Sequence, residues 1–353
     1  MKYEIPNLQN DLLLRAINHE KLPRVPVWMM RQAGRSDPEY LAYRENAGRS
    51  LYQLFREPEH AIPISLLPKR FGVDAIIMFQ DILTPLTPMG ADFQFVPGPV
   101  LDKPLRTVTQ VEELQEFDPD KALDFVGSTI KGLLKDLNGE LPLLGFAGAP
   151  FTLAAFMIEG KSPGKGIENT LALAEEQPLA FQDLMDRLSR ITVNYLNYQI
   201  TSGVHAVQLF ESIGDQIPRS LYERYAQPSH EFIFSNLQAN IPAILFVRAS
   251  PFPDLMLQSG AAVLSMGSDA SLAEVLDKGA GTIAVQGNVD NHLLVHGSAD
   301  DIERSVEAYI SETGGRGHIL NLGHGLLPET PFENVLKFVE AAKKFNLAES
   351  VSR

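Results

Sequence analysis

Short apolar runs recur along the chain, and most of them are continuous instead of alternating with polar residues. Continuous runs of about four to eight residues are typical of parallel strands that are covered on both faces. The pattern predicts eight strands, at residues 25–30, 73–79, 141–146, 206–210, 242–247, 261–266, 282–285 and 318–322.

Helical patterns lie between these runs, with apolar residues three and four positions apart. They include residues 173–201, 221–239, 272–278, 300–313 and 331–344. Repeated strand–helix alternation predicts the α/β class, and eight repeats predict a closed (β/α)8 barrel, the TIM barrel. We interpret the proline-rich stretch 83–105 as an excursion at the barrel rim. Because there is no linker-like tract, we expect residues 1–353 to form a single domain.

Polar and glycine-rich residues come directly after the apolar runs. In a (β/α)8 barrel the carboxyl ends of the strands meet on one face, and that face holds the active site. The polar residues at predicted strand ends include Arg31, Gln32, Asp81, Ser212, Arg248 and His324. The sequence therefore predicts that these residues converge.

Charge and composition narrow the function. With 30 Lys and Arg against 44 Asp and Glu, the formal net charge is −14, which disfavours nucleic acid and anionic membrane surfaces as partners. The absence of cysteine excludes disulfides, thiolate metal ligands and a cysteine nucleophile. The polar, acidic N-terminal segment predicts no secretory signal, and we expect a cytoplasmic protein. Residues 141–158 are uncharged and long enough to span a bilayer, but two prolines and two glycines favour a strand, a turn and a helix start.

Arg31 and Arg35 stand out in this acidic chain. If a helical turn follows the first strand, their spacing of four puts both guanidinium groups on one side. Arginine holds carboxylate or phosphate with a planar fork, and Arg44 could add a third such group. The alternative is surface ion pairing with nearby carboxylates, of which there are three: Asp37, Glu39 and Glu45.

Other polar residues leave a choice between structural and functional roles. The position of Asp81 is compatible with two roles, a structural hydrogen-bond acceptor or a functional carboxylate at the barrel mouth. Ser212 suits substrate binding or capping of the next helix. His324 lies between two glycines, which favours ligand access. His292 and His296 have the spacing of a helical metal pair, but without a third ligand nearby we interpret them as a solvated face.

Five motifs together resemble the uroporphyrinogen decarboxylase family. They are PVWMMRQAGR at 26–35, FQDIL at 79–83, GFAGAPFTLAAFMIEG at 145–160, LFES at 209–212 and NLGHGL at 321–326. The resemblance implies a (β/α)8 barrel, usually a homodimer, that uses no metal and no organic cofactor. It implies removal of carbon dioxide from the four acetate side chains of uroporphyrinogen III, giving coproporphyrinogen III.

The resemblance also implies residue roles. Asp81 would accept hydrogen bonds from the pyrrole N–H groups and stabilise the positive charge of a protonated ring. Arg31 and Arg35 would bind the reacting or neighbouring acetates. The resemblance further implies polar side chains that bind carboxylates and phenylalanines that form apolar walls. These substrate-binding residues are Gln32, Arg44, Phe79, Phe146, Phe156, Phe210, Ser212 and His324.

The sequence departs from the family pattern at two places. Phe156 stands where the family commonly has tyrosine, and Asp37 lies close to the arginines in RSDPEY, where RYLPEY is more usual. Two alternatives remain on the same fold. One is a cobamide- or thiol-dependent methyltransferase, which the absence of cysteine disfavours, and the other is a non-catalytic tetrapyrrole-binding protein, which Phe156 alone suggests.

Overall fold

Seven parallel strands form a curled sheet in the order β1-β4-β5-β6-β7-β8-β9, and β2 pairs with β3 in a separate antiparallel hairpin. The structure, a computed structural model, describes residues 2–95, 98–164, 166–238 and 240–347. The strands are β1 Ile76–Ile77, β2 Phe93–Phe95, β3 Pro99–Leu101, β4 Leu143–Gly148, β5 Ala206–Glu211, β6 Ala243–Val247, β7 Val263–Ser265, β8 Ala284–Val289 and β9 His318–Leu322. The succession of parallel neighbours confirms the predicted barrel class.

The predicted first strand at 25–30 is not a regular strand. It joins the two ends of the sheet instead: Val27 forms a parallel bridge to Leu320 of β9, and its carbonyl accepts the Asp74 N–H at 2.7 Å. Three of its backbone N–H groups bond to side chains: Val27 to Asp74 at 2.8 Å, Met29 to Gln32 at 3.1 Å and Met30 to Asn321 at 3.2 Å. Two ladder bonds to β9 remain, through the Trp28 N–H and the Pro26 carbonyl, and side-chain acceptors replace the others, which apolar patterning does not reveal.

The helices cover the outside of the sheet. They are α1 Leu12–Ile17, α2 Pro38–Ala47, α3 Leu51–Arg56, α4 Pro58–Leu66, α5 Val108–Glu112, α6 Pro119–Ala122, α7 Asp124–Leu137, α8 Pro150–Glu159, α9 Glu168–Glu176, α10 Pro178–Ser202, α11 Arg219–Leu221, α12 Gln227–Ser235, α13 Pro253–Met256, α14 Leu272–Lys278, α15 Asn291–His296, α16 Ala299–Thr313 and α17 Phe332–Lys344.

Prolines and a wider turn account for the differences from the predicted helices. The pattern at 173–201 is divided between α9 and α10, because Pro178 cannot continue a helix and begins a new one. The pattern at 221–239 contains a π-helical turn, Tyr222–Ala226, before α12, and its last residue, 239, lies outside the described residues. The patterns at 272–278, 300–313 and 331–344 match α14, α16 and α17 to within one residue at each end.

The apolar stretch 141–158 forms β4 and the first nine residues of α8, as predicted. No helix in the described part of the chain is long and apolar enough to cross a bilayer. The excursion at 83–105 contains the β2–β3 hairpin, which is tied to the end of α8 by a hydrogen bond from the Leu101 N–H to the Gly160 carbonyl at 2.7 Å.

His318, the first residue of β9, is fully buried. Its Nε2 is 2.9 Å from the Gly287 carbonyl, and its Nδ1 is 2.9 Å from the Thr313 hydroxyl. A carbonyl can only accept, so Nε2 carries the proton and Nδ1 accepts in the neutral ring. Burial lowers the pKa of His318 to about 4.

We therefore expect His318 to make stability depend on pH. Below about pH 6.5 the unfolded chain binds a proton at this residue that the folded chain does not, so stability falls as pH falls toward 4. Chemical denaturation at pH 7 and pH 5 should show the stability gap between wild type and His318→Gln narrowing by about 2 kcal/mol at pH 5. Other titrating groups cancel in this difference, and an unchanged gap would contradict the assignment.

Candidate active site

The segment carrying Arg31 and Arg35 is two consecutive turns, and the helical turn expected there is absent. Both arginines have left-handed backbone conformations, with φ of 64° at Arg31 and 57° at Arg35, and Gly34 between them has φ of 114°. Such φ values are uncommon for residues with a side chain, and they occur preferentially at functional sites. The arginines therefore approach each other through irregular backbone, and the helical spacing argument was wrong in its geometry.

Gln32 fixes this loop from below. Its side chain is buried, accepts the Met29 N–H at 3.1 Å and donates to the Ala75 carbonyl at 2.9 Å. These bonds tie the loop to the segment that leads into β1. The structure thus places Gln32 beneath the arginines, with both ends of its amide bonded to the backbone.

The two arginines form a cluster of like charge with Arg248, next to His324. Burial and the charges of Arg35 and Arg248 lower the pKa of Arg31 to about 10, so that it remains protonated at neutral pH. Burial and the charges of Arg31 and Arg248 lower the pKa of His324 to about 4, so that it is neutral there. Arg31 is nevertheless solvent-exposed. The positively charged cluster is therefore open to solvent at Arg31, and we call this side of the barrel the cleft side.

Two carboxylates that lie close to these arginines in sequence are bonded elsewhere. Asp37 and Glu39 both pair with Arg70, the latter at 2.9 Å from Nε. Within the described ranges, neither Arg31 nor Arg35 forms an ion pair. The surface ion-pairing alternative is therefore wrong for Asp37 and Glu39, and the cluster is available to an external anion.

Three phenylalanines and His324 line up across the barrel beside this cluster. Ring centroids are 5.6 Å apart for Phe146 and Phe210, 5.6 Å for Phe210 and Phe246, and 6.0 Å for Phe246 and His324. They come from β4, β5, β6 and the residues after β9. Edge-to-face and tilted ring contacts of this length stabilise a rigid apolar wall. Phe146, Phe210 and His324 are thus brought together as predicted.

Phe79 and Arg44 belong to a second group of residues at the same mouth. Phe79 packs against Tyr40, with ring centroids 5.8 Å apart, and a side chain at Gly34 would touch both rings. Burial raises the pKa of Tyr40, and the positive charges of Arg44 of α2 and of Arg35 oppose that rise. The tyrosine therefore connects Arg44 to the arginine loop.

Asp81 lies four residues after β1 in a largely buried position. Its Oδ1 accepts the Leu83 N–H at 2.7 Å, its Oδ2 accepts the Thr84 hydroxyl at 3.1 Å, and Arg56 Nη1 is 3.6 Å from Oδ2. Burial raises the pKa of Asp81, whereas Arg56 and the hydrogen bonds oppose that rise. A carboxylate has about four acceptor positions, so these contacts leave capacity for further donors.

Ser212 is held by a buried network behind the phenylalanine wall. Its backbone N–H donates to the Thr152 hydroxyl at 2.8 Å, and that hydroxyl donates to Glu211. The other oxygen of Glu211 is 3.2 Å from Nε2 of His230, and both of these side chains are fully buried. The network fixes the end of β5 and with it the position of Ser212.

Phe156 lies in the middle of α8 and belongs to the same hydrophobic core as Phe146. Its ring packs edge to face against Phe93 of the hairpin at 6.3 Å, and it is 8% exposed. Sequence reasoning missed Arg56, the partner of Asp81, because nothing in the α3 sequence marks it. It recorded Arg248 only as a polar residue after a strand, although that position was a usable signal.

Comparison with known proteins identifies the family. The family model described as uroporphyrinogen decarboxylase (URO-D) matches residues 8–345. The chain belongs to the uroporphyrinogen decarboxylase family. It is 38% identical over 341 residues to the uroporphyrinogen decarboxylase of Geobacter metallireducens, covering 96% of this chain and 99% of that one. It is 39% identical over 349 residues to the Trichodesmium erythraeum enzyme of the same name, covering 96% and 97%. The predicted enzyme class, a carboxy-lyase, is thereby confirmed.

Solved structures support the same fold at lower identity. A methyltransferase from Methanosarcina mazei superposes with a TM-score of 0.78 at 17% identity, over 96% of this chain and 99% of that one. A putative vitamin-B12 independent methionine synthase from Listeria monocytogenes gives a TM-score of 0.56 at 12% identity, over 91% and 96%. These similarities concern the fold alone. The sequence relationship therefore favours the decarboxylase over the methyltransferase alternative.

Proposed function

We propose that the protein removes carbon dioxide from the four acetate side chains of uroporphyrinogen III to give coproporphyrinogen III. The observation that carries the proposal is the cluster of Arg31, Arg35 and Arg248 beside a phenylalanine wall, in a chain whose net charge is −14. Among the described residues, Arg31 and Arg35 have no ion-pair partner within this cluster. The substrate has eight carboxylates around an apolar ring system. Its chemistry is complementary to cations set against an aromatic surface.

Each turnover begins with a proton on the ring α-carbon next to the carbon that bears the acetate, which makes the ring cationic. The bond between the acetate methylene carbon and its carboxylate then breaks, and the electron pair of that bond neutralises the cationic ring. Carbon dioxide departs, and an exocyclic methylene group remains on the ring. A second proton converts the methylene to methyl, and the ring proton is lost. Each cycle thus consumes one proton for every carbon dioxide released.

The side chains take the following roles in this proposal. Asp81 accepts the pyrrole N–H groups and stabilises the cationic ring, because a nearby anion lowers the energy of a positive charge that develops during the reaction. Arg31 and Arg35 bind the reacting and neighbouring acetates. Ser212 and the neutral His324 donate hydrogen bonds to other carboxylates, and Arg44 binds one at the rim.

The remaining residues shape the pocket. Phe79, Phe146 and Phe210 form walls that keep water from the reacting ring, and Phe156 supports the hairpin side of the pocket. Gln32 is a positioning residue, because its amide is bonded to the backbone of Met29 and Ala75. The protein uses no metal or organic cofactor in this scheme, and we propose a cytoplasmic homodimer.

The test is turnover by the purified protein. Uroporphyrinogen III is incubated without oxygen, and the products are oxidised to porphyrins and separated by carboxylate number. We expect species with seven, six and five carboxylates and then the four-carboxylate product. A reaction without protein measures spontaneous loss of carbon dioxide. Binding of the substrate with no decarboxylated species would refute the proposal and favour the non-catalytic tetrapyrrole-binding alternative.

A further inference from the structure

Arg248 follows β6 and lies on the cleft side of the barrel. Residues two apart on a strand share a face, and Phe246, two positions earlier, contacts both Phe210 and His324. The Arg248 N–H donates to the Glu211 carbonyl at 3.0 Å, which fixes this strand end beside the position of Ser212. The side chain of Arg248 therefore begins at the same level of the barrel as Ser212 and His324, which are predicted to bind carboxylates.

Its only ion-pair partner in the described residues is Asp215. The distance from Nε of Arg248 to Oδ2 of Asp215 is 3.4 Å, and the two side chains are 40% and 32% exposed. Exposed pairs of this kind contribute little free energy, because water competes for both charges. The contact involves Nε, so the four N–H donors on the terminal nitrogens are free of it.

The turn that carries Asp215 is packed directly onto β6. A side chain at Gly214 would come within 2.3 Å of Val247 and 3.1 Å of the Arg248 carbonyl, so glycine is needed for this close approach. The approach holds Asp215 next to the guanidinium. It gives Arg248 a weak ion-pair partner, which neither Arg31 nor Arg35 has among the residues that the structure describes.

We infer that Arg248 binds a carboxylate side chain of the tetrapyrrole and that Asp215 is an internal competitor which the incoming carboxylate displaces. The inference rests on the proposed function for its ligand class, a ring bearing acetates and propionates. The electrostatic effect of Arg248 on Arg31 and on His324 supports its closeness to the cluster. Eight carboxylates need more cationic partners than Arg31, Arg35 and Arg44 provide.

The test measures binding apart from turnover. Uroporphyrin III, the oxidised octacarboxylate that cannot be protonated in the same way, is titrated into each variant and followed by fluorescence. We expect Arg248→Gln to weaken binding about tenfold or more and Arg248→Lys to weaken it less, since lysine keeps the charge without the fork. Asp215→Asn should strengthen binding by a few fold, because the competitor is removed.

A double-mutant cycle distinguishes competition by Asp215 for Arg248 from the general effect of removing one negative charge. In an Arg248→Gln background, Asp215→Asn should have almost no effect, since its competitor role requires the arginine. The matched control is Arg304→Gln, which removes an arginine paired with Asp301 at 2.5 Å on the exposed face of α16 and should leave affinity unchanged. Titration with coproporphyrin, which lacks the acetates, assigns the contact: a retained Arg248 effect indicates a propionate and a lost effect indicates an acetate.

Two results would overturn the inference: equal affinity of wild type and Arg248→Gln for both porphyrins, or an Asp215→Asn effect of the same size with and without Arg248. Neither depends on catalysis. If wild type binds uroporphyrin through Arg248 but forms no coproporphyrinogen, the inference stands and the proposed function fails. If wild type is active and Arg248→Gln binds equally well, the proposed function stands and the inference fails.

Discussion

Asp81→Asn will lower kcat for uroporphyrinogen III by about a thousandfold while the protein remains folded. At 4 Å and an effective dielectric of 20, a charge pair contributes roughly 4 kcal/mol, and losing it only in the transition state slows the reaction on that order. Asparagine keeps an oxygen that can accept the Leu83 N–H, so the turn at the end of β1 is preserved. Stopped assays on the purified variant measure the rate.

A structural role for Asp81 predicts a different outcome. If Asp81 serves only to pair with Arg56 and to cap the turn, Asp81→Asn should lower the stability of the protein and leave kcat nearly unchanged. Adding Arg56→Gln should then restore stability, because it removes the unpaired cation. We expect no rescue of turnover in the double variant. Thermal unfolding of all three variants shows which residue pair the fold needs, and retained activity in Asp81→Asn would contradict the catalytic role.

The barrel could be predicted because its determinants are local. Residues 318–322 match β9 to the residue, and 272–278 match α14, since apolar spacing and turn residues decide such elements. The segment 25–30 has the same apolar character but forms only a bridge. The N–H groups of Val27 and Met30 are satisfied by the side chains of Asp74 and Asn321, which are distant in sequence, and hydrophobic patterning carries no information about such bonds.

The candidate site was predicted in its residue types more than in its geometry. Arg31, Arg35 and His324 come together as expected from their strand ends, yet the two arginines use left-handed backbone where we expected a helical turn. The partner of Asp81 was not predictable. Arg56 comes from α3, whose sequence reads as an ordinary surface helix, and only the folded chain brings its guanidinium to the carboxylate.

The cluster shows how an acidic protein can bind an acidic ligand. Burial and the like charges of neighbouring arginines lower the pKa of Arg31 and of His324, and no carboxylate among the described residues pairs with either side chain to offset the repulsion. A bound carboxylate offsets the repulsion between these like charges. Part of the binding free energy therefore comes from removing a repulsion that is present in the free protein. His324, neutral at pH 7, adds a hydrogen-bond donor without adding to the repulsion.

Arg31→Gln will lower kcat/KM by about a hundredfold, because a charge-assisted pair with a desolvated acetate contributes a few kcal/mol to the transition state. Arg31→Lys should lose about tenfold, since lysine keeps the charge but lacks the planar fork. Initial rates over a range of substrate concentrations give kcat and KM for each variant. Relief of like-charge repulsion should also make Arg31→Gln at least as stable as wild type.

Gly325 allows the same arginine to be displaced without changing it. A side chain at Gly325 would come within 2.5 Å of Cδ and 2.8 Å of Cγ of Arg31, so Gly325→Ala must move the guanidinium. We expect kcat/KM to fall by about tenfold in this variant. The matched control is Gly98→Ala, where a new methyl group meets nothing within 4 Å. If both alanine variants keep full activity, or if Arg31→Gln does, the acetates are not held by Arg31, because removing or moving its guanidinium then leaves the transition state unaffected.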